Sequence, residues 1–552
     1  MGENLLLAIR GSTGLFVRRG VTNPPNFVFK DDEDPKKKTV RTFAYSYSGQ
    51  YFAYCDSQKT VILEVATGRE VISEALPRTT NIAFSPRDRI CVTYEPYVIY
   101  GARANGDTSV RQPQPNLRFW SLVDGRLLTT LVANKSASWR PQWTDDESTA
   151  IRLSGSELHI YKNNNFDRFE SKLVLKNVES YEISPGQTNQ HLCCYIPGSG
   201  GKPAVVQLRR FDEKASLVGN KTFFKCDRVM MKWNAKGTAA LVMSITDVDA
   251  ANKSYYGEST LYLMTTSGDS CLVSLDKQGP VYGVEWNPNG KEFTVCYGFM
   301  PARICTYNLK GEVTWDLGAS HMNELHYNRF GNILLVAGFG NLAAGRMDFY
   351  NVNEKKLIIS INVPNCTQFS WAPDGQHFVT AQTAPRLRFD NGYRIWHYTG
   401  KLISEERYVD KDELWQVLWR PLPSDALTKF KIPELTAEQK AQAGLIVQAK
   451  TADGSASVAV ASGAVAKKTG YIPPHLRKAN GAGALKPAGA TAAVKPSISE
   501  TEKKIRNIQK KIDEIDKLKA KLEAGEVLQK NQLAKMEKRD EFIAELEALK
   551  IS

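Results

Sequence analysis

Histidine and cysteine are scarce, at 7 and 9 in 552 residues, and no Cys-x-x-Cys occurs anywhere. The cysteines, at 55, 91, 193, 194, 226, 271, 296, 305 and 366, are odd in number and scattered through apolar segments. That distribution excludes a disulfide framework and a paired-cysteine zinc site, and predicts reduced, buried thiols in a cytoplasmic chain. No run approaches 18 uninterrupted apolar residues, so no membrane-spanning helix is expected. The opening stretch MGENLLLAIRGSTGLFVRRG has too short an apolar segment for a secretory signal and no cleavage-like end. Gly2 lacks the following Ser or Thr of a myristoylation site, so nothing is expected to anchor the chain to a membrane.

Catalytic motifs are missing as well. No serine sits in Gly-x-Ser-x-Gly, no His-Glu-x-x-His occurs, and the acidic residues do not pair in a recognisable catalytic frame. His321 and His326 alone lie near one another, flanking an ordinary strand start. Two glycine clusters invite a nucleotide reading. A dinucleotide loop needs Gly-x-Gly-x-x-Gly between a strand and a helix, whose N-terminus holds the pyrophosphate. In GFGNLAAGRMDFYN, residues 338–351, Gly338 and Gly340 are followed by Gly345, which misses the third position, and RMDFYNV alternates as a strand. In PGSGGKP, residues 197–203, Lys202 precedes proline where Ser or Thr would bind magnesium, and the phosphate-loop spacing is absent. The chain is therefore expected to hold no nucleotide, cofactor or metal, and not to be an enzyme.

What is abundant is turn and strand material. Gly 39 and Pro 25 accompany 42% hydrophobic and 10% aromatic residues, enough for a large core interrupted by many tight turns. One phrase recurs, an aromatic strand, a turn and a second apolar strand. It appears as FAYSYSGQYFAY from Phe43, IAFSPRDRICVTY from Ile82, RPQWTDDESTAIRL from Arg140, YEISPGQ from Tyr181 and MKWNAKGTAALVM from Met231. It returns as VEWNPNGKEFTVCY from Val284, LHYNRFGNILLVAG from Leu325, FSWAPDGQHFVTA from Phe369 and VLWRPLPS from Val417. Asn-Gly and Asp-Gly supply the positive φ of a hairpin, and the central aromatics (Trp233, Trp286, Trp371) are expected to pack between sheets. A strand-rich repeat of about 40 to 60 residues matches the four-stranded blades of a β-propeller, here with nine blades over residues 1–430. Too few strand residues follow the ninth phrase, so LLLAIRG and LFVRR in the first 20 residues are expected to close the ring. Gly338 and Gly340 then mark close backbone packing at a blade's end, with Met347, Phe349 and Tyr350 packing in or flanking the next strand.

Beyond residue 430 the composition changes. Residues 431–497 are rich in Ala, Gly, Ser, Lys and Pro, and such a segment buries too little to offset its ordering entropy, which predicts a flexible linker. One island interrupts it: GYIPPHLRK, where Tyr471, Ile472 and Leu476 offer apolar anchors, Pro473 and Pro474 stiffen the backbone, and Arg477 adds charge. It reads either as a partner-binding motif or as a local feature of the linker. Residues 498–551 carry apolar stripes at three- and four-residue steps, Ile505 to Leu522 and Leu528 to Leu549, broken at Gly525. They predict an amphipathic helical hairpin, with a short coiled coil as the alternative. Residues 441–552 hold 20 Lys and Arg against 13 Asp and Glu, an excess of 7 within a chain of net charge +13. A basic arm of this kind points to polyanions, RNA above all, and Lys503, Lys504, Arg506, Lys510 and Lys511 are the residues expected on RNA phosphates.

GFGNLAAGRMDFYNV, VEWNPNGKEFTVCYG and TAPRLRFDNGYRIWHYTGKL resemble the eukaryotic translation initiation factor 2A family, and the likeness spans the chain. The central blades are also similar, more weakly, to subunit b of initiation factor 3; the tail, and the lack of an N-terminal RNA-recognition domain, favour the factor 2A family. The island is similar to a stretch near the start of some DEAD-box RNA helicases of translation. The terminal segment is similar to the ribosome-associating end of the Mago-binding protein that removes exon-junction complexes. The resemblance implies a nine-bladed propeller that binds the small ribosomal subunit and brings initiator methionyl-tRNA to it without GTP. It also implies mRNA and other initiation factors as partners of the C-terminal arm. No short motif carries tRNA-contacting residues over to this sequence. A propeller scaffold that organises proteins without touching RNA is the alternative class, because the fold alone selects no function.

Overall fold

The structure is a computed structural model that describes residues 5–31, 39–98, 113–134, 139–173, 175, 177–186, 189–212, 214–246, 257–409, 411–441, 443 and 515. The chain divides into two units, Met1–Val458 and Ala459–Ser552. The first contains nine four-stranded antiparallel sheets, the blades of a propeller. Each of the first eight recurrent phrases lies at the turn between the first two strands of a blade, as VEWNPNG does between Val281–Trp286 and Glu292–Tyr297, and the ninth ends the inner strand Leu414–Trp419. First strands of successive blades approach one another, which puts them nearest the axis.

The N-terminus closes the ring. Leu414–Trp419 pairs with Leu6–Gly11, which pairs with Gly14–Arg19, which pairs with Asn26–Asp31. The last of these, NFVFKD, lies beyond the 20 residues from which closure was expected. This ninth blade leaves no sheet edge between the two ends of the array, where an open edge would template aggregation.

Hydrophobic side chains form nine clusters, and each spans two neighbouring blades. The repeat phrase explains how. Four of its five tryptophans reach backward, Trp143 instead donating to Asn164 Oδ1 in its own blade: the indole N–H donates to a backbone carbonyl of the preceding blade, Trp233 to Glu182 at 3.2 Å and Trp286 to Lys232 at 2.9 Å. Trp371 donates likewise to His326 at 3.2 Å, and Trp419 to Ser370 at 3.3 Å. Burial of the ring and a satisfied N–H come from the same position, which is why tryptophan suits it.

The residue after the aromatic reaches forward. Asn234, Asn287 and Asn328 donate from Nδ2 to the carbonyls of Gly290, Gly331 and Gly375 in the next blade, at 2.8, 3.2 and 2.9 Å. Arg420 repeats this across the closure, donating from Nε to Gly49 at 2.7 Å. The turn glycines are required here: Gly331 has φ +66°, and a Cβ on it would stand 2.1 Å from Asn287 Oδ1. In the second and third blades Asp88 and Glu147 take the positive-φ place, at 57° and 59°. Their carboxylates hold the blade behind them: Asp88 accepts from Ser46 Oγ at 2.7 Å, and Glu147 from the Arg87 amide at 2.5 Å.

All nine cysteines are free, as expected, but only seven are buried. Cys226 and Cys271 are half-buried, Cys271 because it lies on the outermost strand of its blade, Ser270–Leu272.

Packing also continues past residue 430, where the sequence suggests a linker. Phe430 meets Phe330 edge-on at 6.0 Å and stacks on Tyr398 at 5.7 Å, and its carbonyl accepts from Asn332 Nδ2 at 3.2 Å. Leu435 and Ala443 are buried with Ile358, Ile361 and Tyr398 of the seventh and eighth blades. A capping box starts a short helix at residues 437–441: Thr436 Oγ1 accepts from the Gln439 amide at 3.2 Å, and Gln439 Oε1 from the Thr436 amide at 3.0 Å. Residues 429–443 therefore form a strap on the propeller.

Candidate functional site

The residues singled out on the arm, Tyr471, Pro473, Pro474, Leu476, Arg477, Lys503, Lys504, Arg506, Lys510 and Lys511, lie outside the described residues, as do the expected linker apart from residues 431–441 and 443 and the expected hairpin apart from Ile515. Ile515 is helical and buried.

Both glycine clusters are described. The segment after the loop at 338–345 is the strand Arg346–Asn351, with Met347 and Phe349 fully buried. Two of the loop's amides close on the loop itself: Ala344 N–H donates to the Gly340 carbonyl at 2.9 Å, and Gly345 N–H to that of Gly338 at 3.0 Å. A phosphate needs several free amides converging at a helix end, and this loop presents a closed turn instead. Close packing is real at Gly338, whose added Cβ would stand 2.4 Å from Ala343 Cβ, and at Gly345, where φ is +86° and a Cβ would meet the Val363 carbonyl at 2.2 Å. Gly340, by contrast, faces open space, so the packing role expected of it falls to Gly345.

The segment 197–203 forms a tight hairpin with Ser199 bridged to Lys202. It lines a cavity of ≈ 680 Å³ with Phe223, Phe224, Lys225, Asp227 and Glu258. Lys202 and Lys225 share this space with two carboxylates, and no helix among the described residues points into it. The site is a mixed polar cleft at a blade rim and does not have the design of a phosphate cradle.

Around the central channel the fold brings together residues that no short motif announced. A cavity of ≈ 570 Å³ is lined by Arg140, Gln142, Trp143, Tyr181 and Glu182, with Tyr47 facing them from the first blade. Burial pushes the Glu182 carboxyl up, against the pull of Gln142 and Arg140. Gln142 is held at both ends of its amide, donating to the Tyr181 carbonyl at 2.9 Å and accepting from the Ile183 amide at 2.9 Å. The Tyr181 hydroxyl donates to the Ile151 carbonyl at 2.7 Å, and Arg140 Nη2 to Tyr47 Oη at 2.6 Å. Gln368 repeats the Gln142 arrangement on Val417 between the eighth and ninth blades. These groups join inner strands that are too far apart to pair directly, and the chemistry they perform is that of assembly.

Sequence reasoning missed the strap, although the Thr-Ala-Glu-Gln capping box at 436–439 was a legible signal for it.

A sequence profile for the family described as "Eukaryotic translation initiation factor eIF2A" matches residues 221–417. The chain is 44% identical to a eukaryotic translation initiation factor 2A of Caenorhabditis elegans, with all of both chains covered. It is 32% identical to the one of Schizosaccharomyces pombe, covering all of this chain and 99% of that one. A crystal structure titled as the eukaryotic initiation factor superposes with a TM-score of 0.67 at 32% identity, covering 76% of this chain and 99% of its own.

Proposed function

This chain belongs to the eukaryotic translation initiation factor 2A family, and from that premise we propose that it binds the small ribosomal subunit and brings initiator methionyl-tRNA to it without GTP. The end-to-end identity of 44% with a relative of that name carries the reading, because it covers propeller and arm alike. The two glycine clusters agree with independence from GTP, since one closes on itself and the other shares its cleft with acidic residues. The protein acts by binding rather than by catalysis, in the cytoplasm, with mRNA and other initiation factors as partners of the arm.

Sedimentation with purified small ribosomal subunits, with and without initiator methionyl-tRNA and with no GTP added, tests this. The full chain is expected to co-sediment and to increase the tRNA in the pellet. A chain that neither sediments with the subunit nor raises its tRNA content would leave the scaffold alternative in place. The chain ending at Ala443, which keeps the strap, measures the arm's share.

A further inference from the structure

In an antiparallel four-stranded blade the turns between strands one and two and between strands three and four lie at the same end. The pairing order is the same in every blade, so these turns share one face of the propeller. On that face, the turn between the third and fourth strands carries lysine in three consecutive blades: Lys310 in the sixth, Lys355 and Lys356 in the seventh, and Lys401 in the eighth. The strap adds Lys429 and Lys431, which line a cavity of ≈ 370 Å³ with Asn332, Asn351, Asn353 and Glu354 of the seventh blade. All six lysines are exposed.

The equivalent turns of the first two blades hold their cations beside carboxylates. In the first blade Arg69 lies 3.9 Å from Glu64, and in the second Arg126 lies 2.9 Å from Asp124. Among the described residues none of the six lysines has a carboxylate within ion-pair distance. The acids nearest in sequence are Glu312, which accepts from Asn308 Nδ2 at 2.8 Å, and Glu354. Among the described residues Lys355 alone of the six makes a side-chain hydrogen bond, from Nζ to the Thr314 carbonyl at 2.6 Å.

Resting on the ribosome-binding reading, we infer that this face of the sixth to eighth blades and the strap is a docking surface for the phosphate backbone of helical RNA. Unpaired ammonium groups spaced from turn to turn suit a polymer that presents charge at regular intervals and is held through phosphates rather than bases. The aromatic rings nearest these lysines, Tyr398 and Phe430, are stacked on each other at 5.7 Å against the blade core rather than presented for the stacking that unpaired bases would need. The strap fixes Lys429 and Lys431 against the seventh blade, so this part of the surface is preorganised.

The test is a salt titration of the full chain on a 20-base-pair RNA duplex, with a parallel measurement on purified small subunits. Two variants are compared with wild type, one with Lys310, Lys355, Lys356 and Lys401 all changed to Gln and one with the same positions changed to Glu. All four side chains are exposed, at turns or, for Lys356, at the first residue of a strand, so circular dichroism and melting are expected to be unchanged. The Gln variant should bind duplex at least tenfold more weakly at low salt, and its log K against log salt should be shallower by about 3 to 4, close to 0.9 per lost phosphate contact. The Glu variant should lose more. Wild-type affinity and slope in both variants overturn the inference, as does competition by polyglutamate stronger than by RNA at equal charge, which would assign the face to an acidic protein. If wild type binds duplex but not the small subunit, the functional reading fails while this surface stands. If the small subunit binds and the variants hold duplex as wild type does, the reverse is true.

Discussion

Arg18 shows how much of the closure rests on a single side chain. It is fully buried between the ninth blade and the eighth. Nη1 donates to Tyr393 Oη and Ser404 Oγ, both at 3.1 Å, and Nη2 to the Thr22 carbonyl at 2.6 Å. Nε donates to the Arg19 carbonyl at 3.2 Å, and the Glu406 carboxylate stands 3.9 Å away. A buried guanidinium is stable only when its fork of donors is matched, and here the matching groups come from both sides of the closure. Arg18→Ala removes the cation and leaves the Tyr393 and Ser404 hydroxyls in a cavity. Its expected cost is about 3–5 kcal/mol in urea unfolding. Arg18→Met fills the space without the charge and should lose less than half of that. Equal midpoints for wild type and Arg18→Ala would show that the closure is held by strand pairing alone.

At the scale of the strand, closure depends on Leu6–Gly11 and Gly14–Arg19 being laid onto Leu414–Trp419. Deleting residues 1–20 leaves that inner strand with nothing outside it and opens a sheet edge on each side of the gap. The shortened protein is therefore expected to elute in the void volume in size exclusion and to lose its cooperative melt. A monomeric, cooperatively melting product would mean that the eight remaining blades seal without it. The closing strands and the nine phrases were legible because each is a local statement: an aromatic, a turn residue of positive φ and an alternating strand. NFVFKD was not, since it follows Pro24 and Pro25 and carries no phrase of its own. Nor were the clasps of Asp88 and Glu147, because a carboxylate at a turn position ordinarily reads as solvated, and its partners lie about 40 to 60 residues away. The strap was hidden for a related reason: Phe430, Leu435 and Ala443 acquire an apolar surface only once the seventh and eighth blades stand side by side.

For the molecule as a whole the question is how its positive charge is divided between folded body and arm. Of the net +13, residues 441–552 hold 7 and the first 440 hold 6, so neither part is the sole source of attraction for a polyanion. Two weak attachments on one chain bind more tightly together than either alone, since the second event is intramolecular once the first has formed. In this view Lys503, Lys504, Arg506, Lys510 and Lys511 supply one attachment and the propeller turns the other. Changing those five arm residues to Glu should weaken binding to the small subunit by about tenfold at low salt, with a smaller effect as salt rises and screening removes what the charges contributed. The Lys-to-Gln changes on the propeller turns should weaken it independently. Combined, the two sets should reduce affinity by more than the product of the separate losses, because the intramolecular advantage disappears with them. A fluorescence anisotropy titration of labelled small subunits with the four proteins measures all three quantities. If the arm variant binds as wild type does, the arm contributes no electrostatic attachment, and the propeller face carries it alone.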